Sequence, residues 1–289
     1  MKTLHNANRL RTFLPLWLTL KEDTSKQWMS STLMQELFSK FKFFRVLSLS
    51  GFVIENELLG TISNLKHLRY LDLSSTDIKK LPDSICSLYN LQTLKLRNCQ
   101  YLEELPLNLH KLTNLRYLDF SETKVRKIPM DVGKLKNLQV LSSFYVGKEK
   151  AMEVLEKLQP SKHMKDLSIC SYGGTRFPDW FGDNSLSNLV SLKLSNCENC
   201  VLLPPLGILS SLKELWLTGL SGIVVVGSEF YGNGSSSSSA ILPFASLKIL
   251  KFENMKGWEV WDCKNVTGAF SCLQKLFINN CPNLKEVFA

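Results

Sequence analysis

The residues able to carry catalysis or bind a metal are few and scattered in this 289-residue sequence. Cys197 and Cys200 form a CxxC pair, which is the spacing of two zinc ligands, but no second CxxC is present to complete a tetrahedral site. The four histidines, at positions 5, 67, 110 and 163, lie far apart, and none belongs to an HExxH motif. The sequence therefore predicts no metal site.

Nucleotide and acid–base chemistry have no better support. The Gly–Lys pairs at Gly133 and Gly147 lack the upstream glycine and the following Ser or Thr of a phosphate loop. Asp72 and Asp119 hold the same place in the segments LRYLDLS and LRYLDFS, and Lys95 holds that place in the segment between them. At a strand spacing of about 4.8 Å the carboxylates would lie about 10 Å apart, so we expect a charge ladder rather than an acid pair. The sequence predicts no enzyme and no cofactor.

These segments belong to a repeat that runs through the chain. Its frame is LxxLxLxx, and the fourth position recurs at steps of 24, 23, 24, 23, 26, 25, 23, 35 and 26 residues. The residues at that position are Leu47, Leu71, Leu94, Leu118, Leu141, Leu167, Leu192, Leu215, Leu250 and Leu276. Such a period is typical of a leucine-rich-repeat solenoid. The predicted fold is α/β: a curved horseshoe with a parallel β-sheet on its concave face and irregular or short-helical segments on its convex side.

The frame also predicts which side chains are buried. Residues four and six of a strand face the same way, so Leu71 and Leu73 point into the core, and positions three, five and seven point outward. Small residues at position nine are expected to pack inside the bend and to hydrogen-bond the backbone. These are Thr76, Cys99, Thr123, Cys197 and Cys281. Three of the eight cysteines lie there, so we expect reduced, structural thiols.

The repeat divides the chain into four stretches. They are residues 1–43, a divergent strand (10–16) and helix leading into the array; 44–146, regular repeats; 147–163, an inserted helix; and 164–289, irregular repeats. Residues 232–239, GNGSSSSS, are expected to form a flexible loop in the last stretch. The last repeat shows no polar capping element, so the C-terminal cap is expected to be missing from this chain.

The basic residues follow a pattern. The formal net charge is +9, and position two of the frame carries Arg45, Arg69, Arg116, Lys165, Lys213 and Lys248. This basic border either docks an acidic partner or a neighbouring domain, or is only an ordinary lysine-rich surface. No known nucleic-acid motif accompanies it, so nucleic acid is not expected as a partner. No apolar run reaches the roughly 20 residues of a membrane span.

The outward fifth position changes character along the chain. It reads Ser48, Asp72, Lys95 and Asp119 in the first half, and Lys193, Trp216, Lys251 and Phe277 in the second. An outward tryptophan is a favoured interface anchor, and we expect Lys193 and Lys251 to flank its ring. Glu214, Glu253 and Lys275 would surround it. The hypothesis is a protein-binding face in the later repeats; the alternative is that the column only stabilises itself.

Four segments carry a more specific resemblance. They are LRYLDLSSTDIKKLPDSICSLYNLQTLKLRNC (68–99), GGTRFPDWFGDNSLSNLVSLKLSNCENC (173–200), VVGSEFYG (225–232) and KILKFENMKGWEVWD (248–262). They resemble the leucine-rich-repeat region of plant NLR (NB-ARC-LRR) disease-resistance proteins of the coiled-coil class. The resemblance covers roughly residues 9 to 289.

This resemblance implies a cytoplasmic module of an immune receptor. Such a module recognises a pathogen effector or a guarded host protein and restrains the receptor's own NB-ARC ATPase module. ATP or ADP is expected only in that module, whose motifs are not in this sequence. The alternative is a stand-alone or secreted leucine-rich-repeat scaffold or inhibitor. Secreted plant repeats usually carry a cleavable signal and a GxIP return, whereas this chain has LPDSI and LPLNL.

Overall fold

A computed structural model describes residues 10–14, 30–54, 56–126, 128–145, 151–232, 242–263 and 268–288. The chain divides into two compact units, Met1–Leu138 (unit 1) and Gln139–Ala289 (unit 2). Most of the predicted serine loop, residues 233–239, lies outside the described residues.

Unit 1 is a stack of parallel strands joined by helical return segments. Its elements are β1 (Thr12–Phe13), α1 (Ser31–Lys40), β2 (Val46–Ser48), α2 (Asn56–Ile62), β3 (Tyr70–Asp72), β4 (Thr93–Lys95) and β5 (Tyr117–Asp119). Each strand pairs in parallel with the next. Leu47, Leu71, Leu94 and Leu118 lie opposite one another and are fully buried, which confirms the predicted frame. The stack is stable because each turn covers the apolar face of its neighbour.

Unit 2 continues the same frame with longer strands. Its elements are β6 (Val140–Tyr145), α3 (Ala151–Leu158), β7 (Asp166–Cys170), β8 (Ser191–Ser195), β9 (Glu214–Thr218), β10 (Val225–Val226), α4 (Ser228–Tyr231), β11 (Ile249–Glu253), β12 (Val260–Asp262), β13 (Lys275–Asn279) and β14 (Glu286–Phe288). Strands β6 to β9, β11 and β13 form a parallel sheet in that order. The frame leucines from Leu141 to Leu250 are buried and aligned across it.

Strand β6 contains a β-bulge that the sequence does not reveal. The frame places Ser143 at the inward sixth position, so a fixed repeat predicts the loss of its apolar residue there. The register instead shifts between Leu141 and Phe144, so that Phe144 pairs with Ile169. One extra residue therefore restores an apolar residue at the sixth register position.

A second parallel sheet forms in the return segments of unit 2, where irregular or short-helical segments were expected. It consists of β10, β12 and β14. Its inner face packs on aromatic side chains: Trp258 and Trp261 are buried, and the Trp261 Nε1–H donates to the Tyr231 hydroxyl at 2.8 Å. Buried indole and phenol groups need such partners.

Further return segments form short 3₁₀ helices, in keeping with the irregular or short-helical convex side that the repeat predicts. They are Asp83–Ser87, Leu109–Lys111 and Met130–Lys134 in unit 1, and Asp179–Phe181, Asn184–Leu186 and Leu206–Ile208 in unit 2. Several begin directly after a proline, such as Pro82, Pro129 and Pro178. A proline there removes no needed hydrogen bond and fixes φ for the turn.

The turn after nine of the strands, β2–β5, β7–β9, β11 and β13, is made by a left-handed residue at position eight. The residues are Gly51, Ser75, Asn98, Glu122, Ser171, Asn196, Gly219, Asn254 and Asn280, with φ between 51° and 78°. Only glycine and, less readily, asparagine adopt this conformation at low cost. The need for this left-handed conformation explains why Asn and Gly recur at position eight.

Two glycines test this explanation. Gly219 has φ +66°, and an added Cβ would lie 2.5 Å from the Asn196 Oδ1, whereas a Cβ on Gly60, within α2, meets nothing within 4 Å. Gly219→Ala is expected to lower the free energy of unfolding by about 1–2 kcal/mol because it forces alanine into the left-handed region. Gly60→Ala is expected to raise it by about 0.5–1 kcal/mol through helix propensity. Urea denaturation measures both; equal effects of the same sign would contradict the turn assignment.

The ninth-position side chains bond the backbone as predicted. The Thr76 hydroxyl donates to the Leu73 carbonyl at 2.7 Å, and the Cys99 thiol donates to the same carbonyl at 3.0 Å. The Cys197 thiol approaches the Ser195 carbonyl at 3.5 Å. All eight cysteines have free thiols, including Cys197 and Cys200. Desolvation raises the pKa of Cys86 to about 11 and that of Cys197 to about 12.

The rate of alkylation measures how strongly burial protects these thiols from reaction. At pH 8 a thiol with a pKa of about 12 is ionised in only about one molecule in ten thousand, and the thiolate is the nucleophile. Iodoacetamide is therefore expected to modify the exposed Cys272 first and Cys197 only after unfolding in urea. Peptide mass spectrometry reads the order. Early modification of Cys197, or its recovery as a disulfide with Cys200, would refute the structural role.

Candidate protein-binding face

The register of unit 2 brings the predicted fifth-position residues together on the outward face of the sheet. Lys193 pairs with Trp216, Trp216 pairs with Lys251, and Lys251 pairs with Phe277. They lie on β8, β9, β11 and β13 in that order. The four side chains thus form one row across the strands, since residues opposite each other in a sheet point to the same side.

Trp216 is held between two lysines. The Lys193 Nζ lies 4.9 Å and the Lys251 Nζ 5.1 Å from the centre of its ring, which confirms the predicted flanking arrangement. The side chain is half-buried rather than widely exposed, because the two lysines cover it. Its indole N–H is buried without an acceptor in the described part of the chain. Such an unpaired donor is unusual in a purely structural position.

The two lysines differ in their other contacts. Lys251 donates to Glu253 at 2.7 Å, and both side chains are largely covered, with 19% and 32% exposed. Lys193 is exposed and forms no ion pair within the described residues. Lys251 is therefore fixed on both sides, by the ring and by the carboxylate, whereas Lys193 keeps its charge available to solvent.

The remaining predicted residues lie at the margins of the row. Glu214 precedes Trp216 by two residues on β9 and pairs in register with Ser191 and Ile249. Burial, followed by the negative charge of Glu214, raises the pKa of Asp166. Lys275 is exposed on β13. The predicted polar surround therefore divides into Glu253, which contacts the row, and Glu214 and Lys275, which border it.

Strand β13 lies at the edge of this sheet. Leu276 and Ile278 occupy core positions of the frame but are 45% and 40% exposed. Phe277, on the outward side, is 43% exposed. Phe277 therefore adds an accessible aromatic surface beside Lys251.

The basic border forms a line within each unit. In unit 2, Lys165, Lys213 and Lys248 are exposed, and the Lys248 N–H donates to the Lys213 carbonyl at 2.8 Å. In unit 1, Arg45, Arg69 and Arg116 are exposed, and the Arg69 N–H donates to the Arg45 carbonyl at 2.8 Å. These border residues form no ion pair within the described ranges.

The outward face of unit 1 has a different, internally satisfied arrangement. Asp72, Lys95 and Asp119 are register neighbours, as the predicted charge ladder requires. The ammonium of Lys95 lies 5.5 Å from the ring of Tyr70 and 5.6 Å from that of Tyr117, contacts that the sequence pattern did not predict. The carboxylate of Asp119 accepts from the backbone N–H and hydroxyl of the serine two residues later, at 3.0 and 2.6 Å. This network stabilises its own sheet.

Comparison with known proteins places the chain in a family. A family model described as "Leucine-rich repeat region" matches residues 27–169, and one described as "R13L1/DRL21 LRRs" matches residues 133–220. A putative disease resistance protein of Arabidopsis thaliana is 37% identical over 99% of this chain and 25% of its own length. A putative disease resistance RPP13-like protein 1 from the same plant is 36% identical over 98% of this chain and 33% of its own length. The chain belongs to the leucine-rich-repeat family of plant disease-resistance proteins.

This leucine-rich-repeat chain spans a quarter to a third of the length of these relatives. Solved structures support the same fold. The ectodomain of the plant receptor kinase GASSHO1/SCHENGEN3 of Arabidopsis thaliana matches 96% of this chain and 32% of its own, with a TM-score of 0.58 and 22% identity. An internalin of Listeria monocytogenes matches 90% of this chain and 77% of its own, with a TM-score of 0.53 and 19% identity. Among the described residues, no helix has the length and hydropathy to cross a membrane.

Proposed function

We propose that this leucine-rich-repeat chain is the partner-binding module of an intracellular, cytoplasmic plant immune receptor, and that the outward face of unit 2 contacts the partner. The observation that carries the proposal is Trp216 held between Lys193 and Lys251 on a solvent-facing sheet. A large aromatic side chain is not needed there for the core, which lies on the other side of β9. Tryptophan is enriched among the residues that dominate interface energies.

The contrast with unit 1 supports this choice of face. There a lysine is enclosed by two tyrosines, and the neighbouring carboxylates accept hydrogen bonds from their own strand ends. In unit 2 an aromatic ring is enclosed by lysines, its N–H has no acceptor among the described residues, and Phe277 remains exposed. Unit 2 therefore has interaction capacity that its own residues do not use, and we assign it a binding rather than a catalytic role.

The partner in this proposal is a pathogen effector or a guarded host protein. The relatives are named disease resistance proteins and are three to four times as long as the aligned region. In the proposed receptor, this module restrains a nucleotide-binding ATPase module, which would hold the ATP or ADP. Partner binding releases the restraint only if the partner binds the active state more tightly than the inactive one.

Quantitative affinity capture tests recognition. The tagged chain, Trp216→Ala and Tyr89→Ala are incubated with extract from infected plant tissue, and bound proteins are compared by mass spectrometry. Tyr89 is an exposed aromatic residue of unit 1 and serves as the matched control. We expect a protein that the wild type and Tyr89→Ala retain and Trp216→Ala loses. Identical captured proteins for all three would overturn the assignment of the face.

Enzyme kinetics tests the restraint separately. The ATPase module that the proposal assigns to the receptor is expressed separately and assayed for ATP hydrolysis with and without this chain added in trans. A lower rate in its presence is expected. An unchanged rate over a saturating range would remove the restraint from the proposal and leave recognition standing.

A further inference from the structure

The outward face of unit 2, together with its basic border, carries an excess of positive charge. Its lysines are Lys165, Lys193, Lys213, Lys248, Lys251 and Lys275, and its carboxylates are Asp166, Glu214 and Glu253. Six lysines against three carboxylates leave a net charge of +3. Among the described residues of this face, Lys251 and Glu253 form the only ion pair. The other five lysines therefore have no carboxylate of the described residues within ion-pair distance.

Two of these lysines are close neighbours of like charge. Lys213 and Lys248 occupy the same frame position on consecutive strands, joined by a backbone hydrogen bond of 2.8 Å. Strands are about 4.8 Å apart, and like charges placed opposite each other in a sheet are destabilising. Glu214 follows Lys213 directly but forms no ion pair with either lysine. An external carboxylate would relieve this repulsion.

The arrangement around Trp216 argues against one class of anionic partner at this ring. Proteins that bind single-stranded nucleic acid stack bases on open aromatic faces. Here one ammonium lies over the ring at 4.9 Å and another at 5.1 Å, on the strands to either side. A base has no free face of Trp216 on which to stack. The lysine ammoniums and the ring edge remain, and these suit a carboxylate beside an apolar side chain.

We infer that the partner of this face presents an acidic protein segment, with carboxylates directed at Lys165, Lys213 and Lys248 and an apolar side chain at Trp216 and Phe277. This rests on the proposed function, of which it specifies the partner's chemistry. The border lysines supply attraction and orientation, because exposed charges mainly accelerate association and select against wrong partners. The aromatic row supplies the apolar contact.

Fluorescence anisotropy tests the inference with a defined probe. A fluorescein-labelled peptide of four Glu-Leu-Glu units is titrated with the full chain at low and at physiological salt, beside its glutamine counterpart. The site variant is Lys165→Gln/Lys213→Gln/Lys248→Gln. The control variant Lys79→Gln/Lys256→Gln/Lys285→Gln loses the same charge from exposed lysines elsewhere. We expect the site variant to bind the glutamate peptide about tenfold more weakly, with a flatter salt dependence, and the control within about twofold of wild type.

Three results would overturn the inference. They are equal weakening by the site and control variants, equal affinity for the glutamate and glutamine peptides, and tighter, site-dependent binding of a twelve-nucleotide single-stranded DNA. The capture experiment separates this inference from the proposed function. If Trp216→Ala loses the captured protein while the triple-lysine site variant retains it, the proposed binding face is supported and the inference of an acidic partner is overturned. If both variants retain it, both proposals fail.

Discussion

Truncation of Leu215 to alanine is expected to lower the free energy of unfolding by about 2–5 kcal/mol. Leu215 is fully buried on β9, and the register places it between Leu192 and Leu250. Removing its branched end leaves a cavity against both neighbouring turns, which close packing cannot easily fill. Urea denaturation followed by circular dichroism measures the loss.

Leu276 is the matched control for this substitution. It holds the same frame position on β13 but is 45% exposed, so its side chain fills no closed cavity. Leu276→Ala is expected to cost about 1 kcal/mol or less, since little apolar area returns to water. If the two substitutions cost the same, the frame positions would not determine burial, and the inward and outward assignment of every strand would be in question.

Much of the sheet could be predicted from the sequence because one constraint, the burial of one side of every strand, determines the register. A strand has a side-chain period of two, so a slip of one residue would expose the whole apolar set. The leucines recur at nearly constant steps, and each turn stacks on the next in the same register, as Leu71 does between Leu47 and Leu94. Periodicity and burial therefore lead to the same pairing, and the row from Lys193 to Phe277 follows from it.

The features that the pattern missed depend on backbone geometry or on distant neighbours. The bulge in β6 needs one extra residue, which a fixed frame cannot show. The left-handed φ at position eight is visible only as a preference for Asn, Gly and Ser, and Glu122 breaks even that preference. In α1, Met34 and Phe38 are buried whereas Leu33 and Leu37 are only partly covered, because the packing partners decide which part of the apolar face turns inward.

The candidate face likewise combines features that the sequence predicted with features that it did not. The sequence predicted that two lysines would flank Trp216, because all three residues share one frame position. It did not predict that the lysines would half-bury the ring, or that its N–H would lack an acceptor in the part of the chain that the structure describes. Nor did it predict the tyrosine pair around Lys95 in unit 1, since Tyr70 and Tyr117 occupy position three on the strands to either side. Diagonal contacts depend on side-chain length and rotamer, which a column of residues does not specify.

Trp216→Ala is expected to weaken partner binding by about 2 kcal/mol or more, which is about a thirtyfold change in Kd, while the fold stays nearly intact. The substitution removes the aromatic anchor and also releases Lys193 and Lys251, whose positions over the ring are fixed by cation–π contact. The core side of β9, formed by Leu215 and Leu217, is untouched. Isothermal titration calorimetry with the captured protein gives the binding change, and urea denaturation gives the stability change.

Trp216→Phe distinguishes two roles of the ring, which are to hold the two lysines and to contact the partner. Phenylalanine keeps an aromatic face for the lysines but loses the indole N–H and part of the contact area, so we expect a binding loss smaller than that of alanine. If alanine and phenylalanine are equally weak, the N–H or the full indole surface is what the partner contacts. A Trp216→Ala protein that binds with unchanged affinity would place the contact elsewhere. One that unfolds as readily as Leu215→Ala would show that the ring belongs to the core of the sheet, because only a buried side chain can carry that much stability.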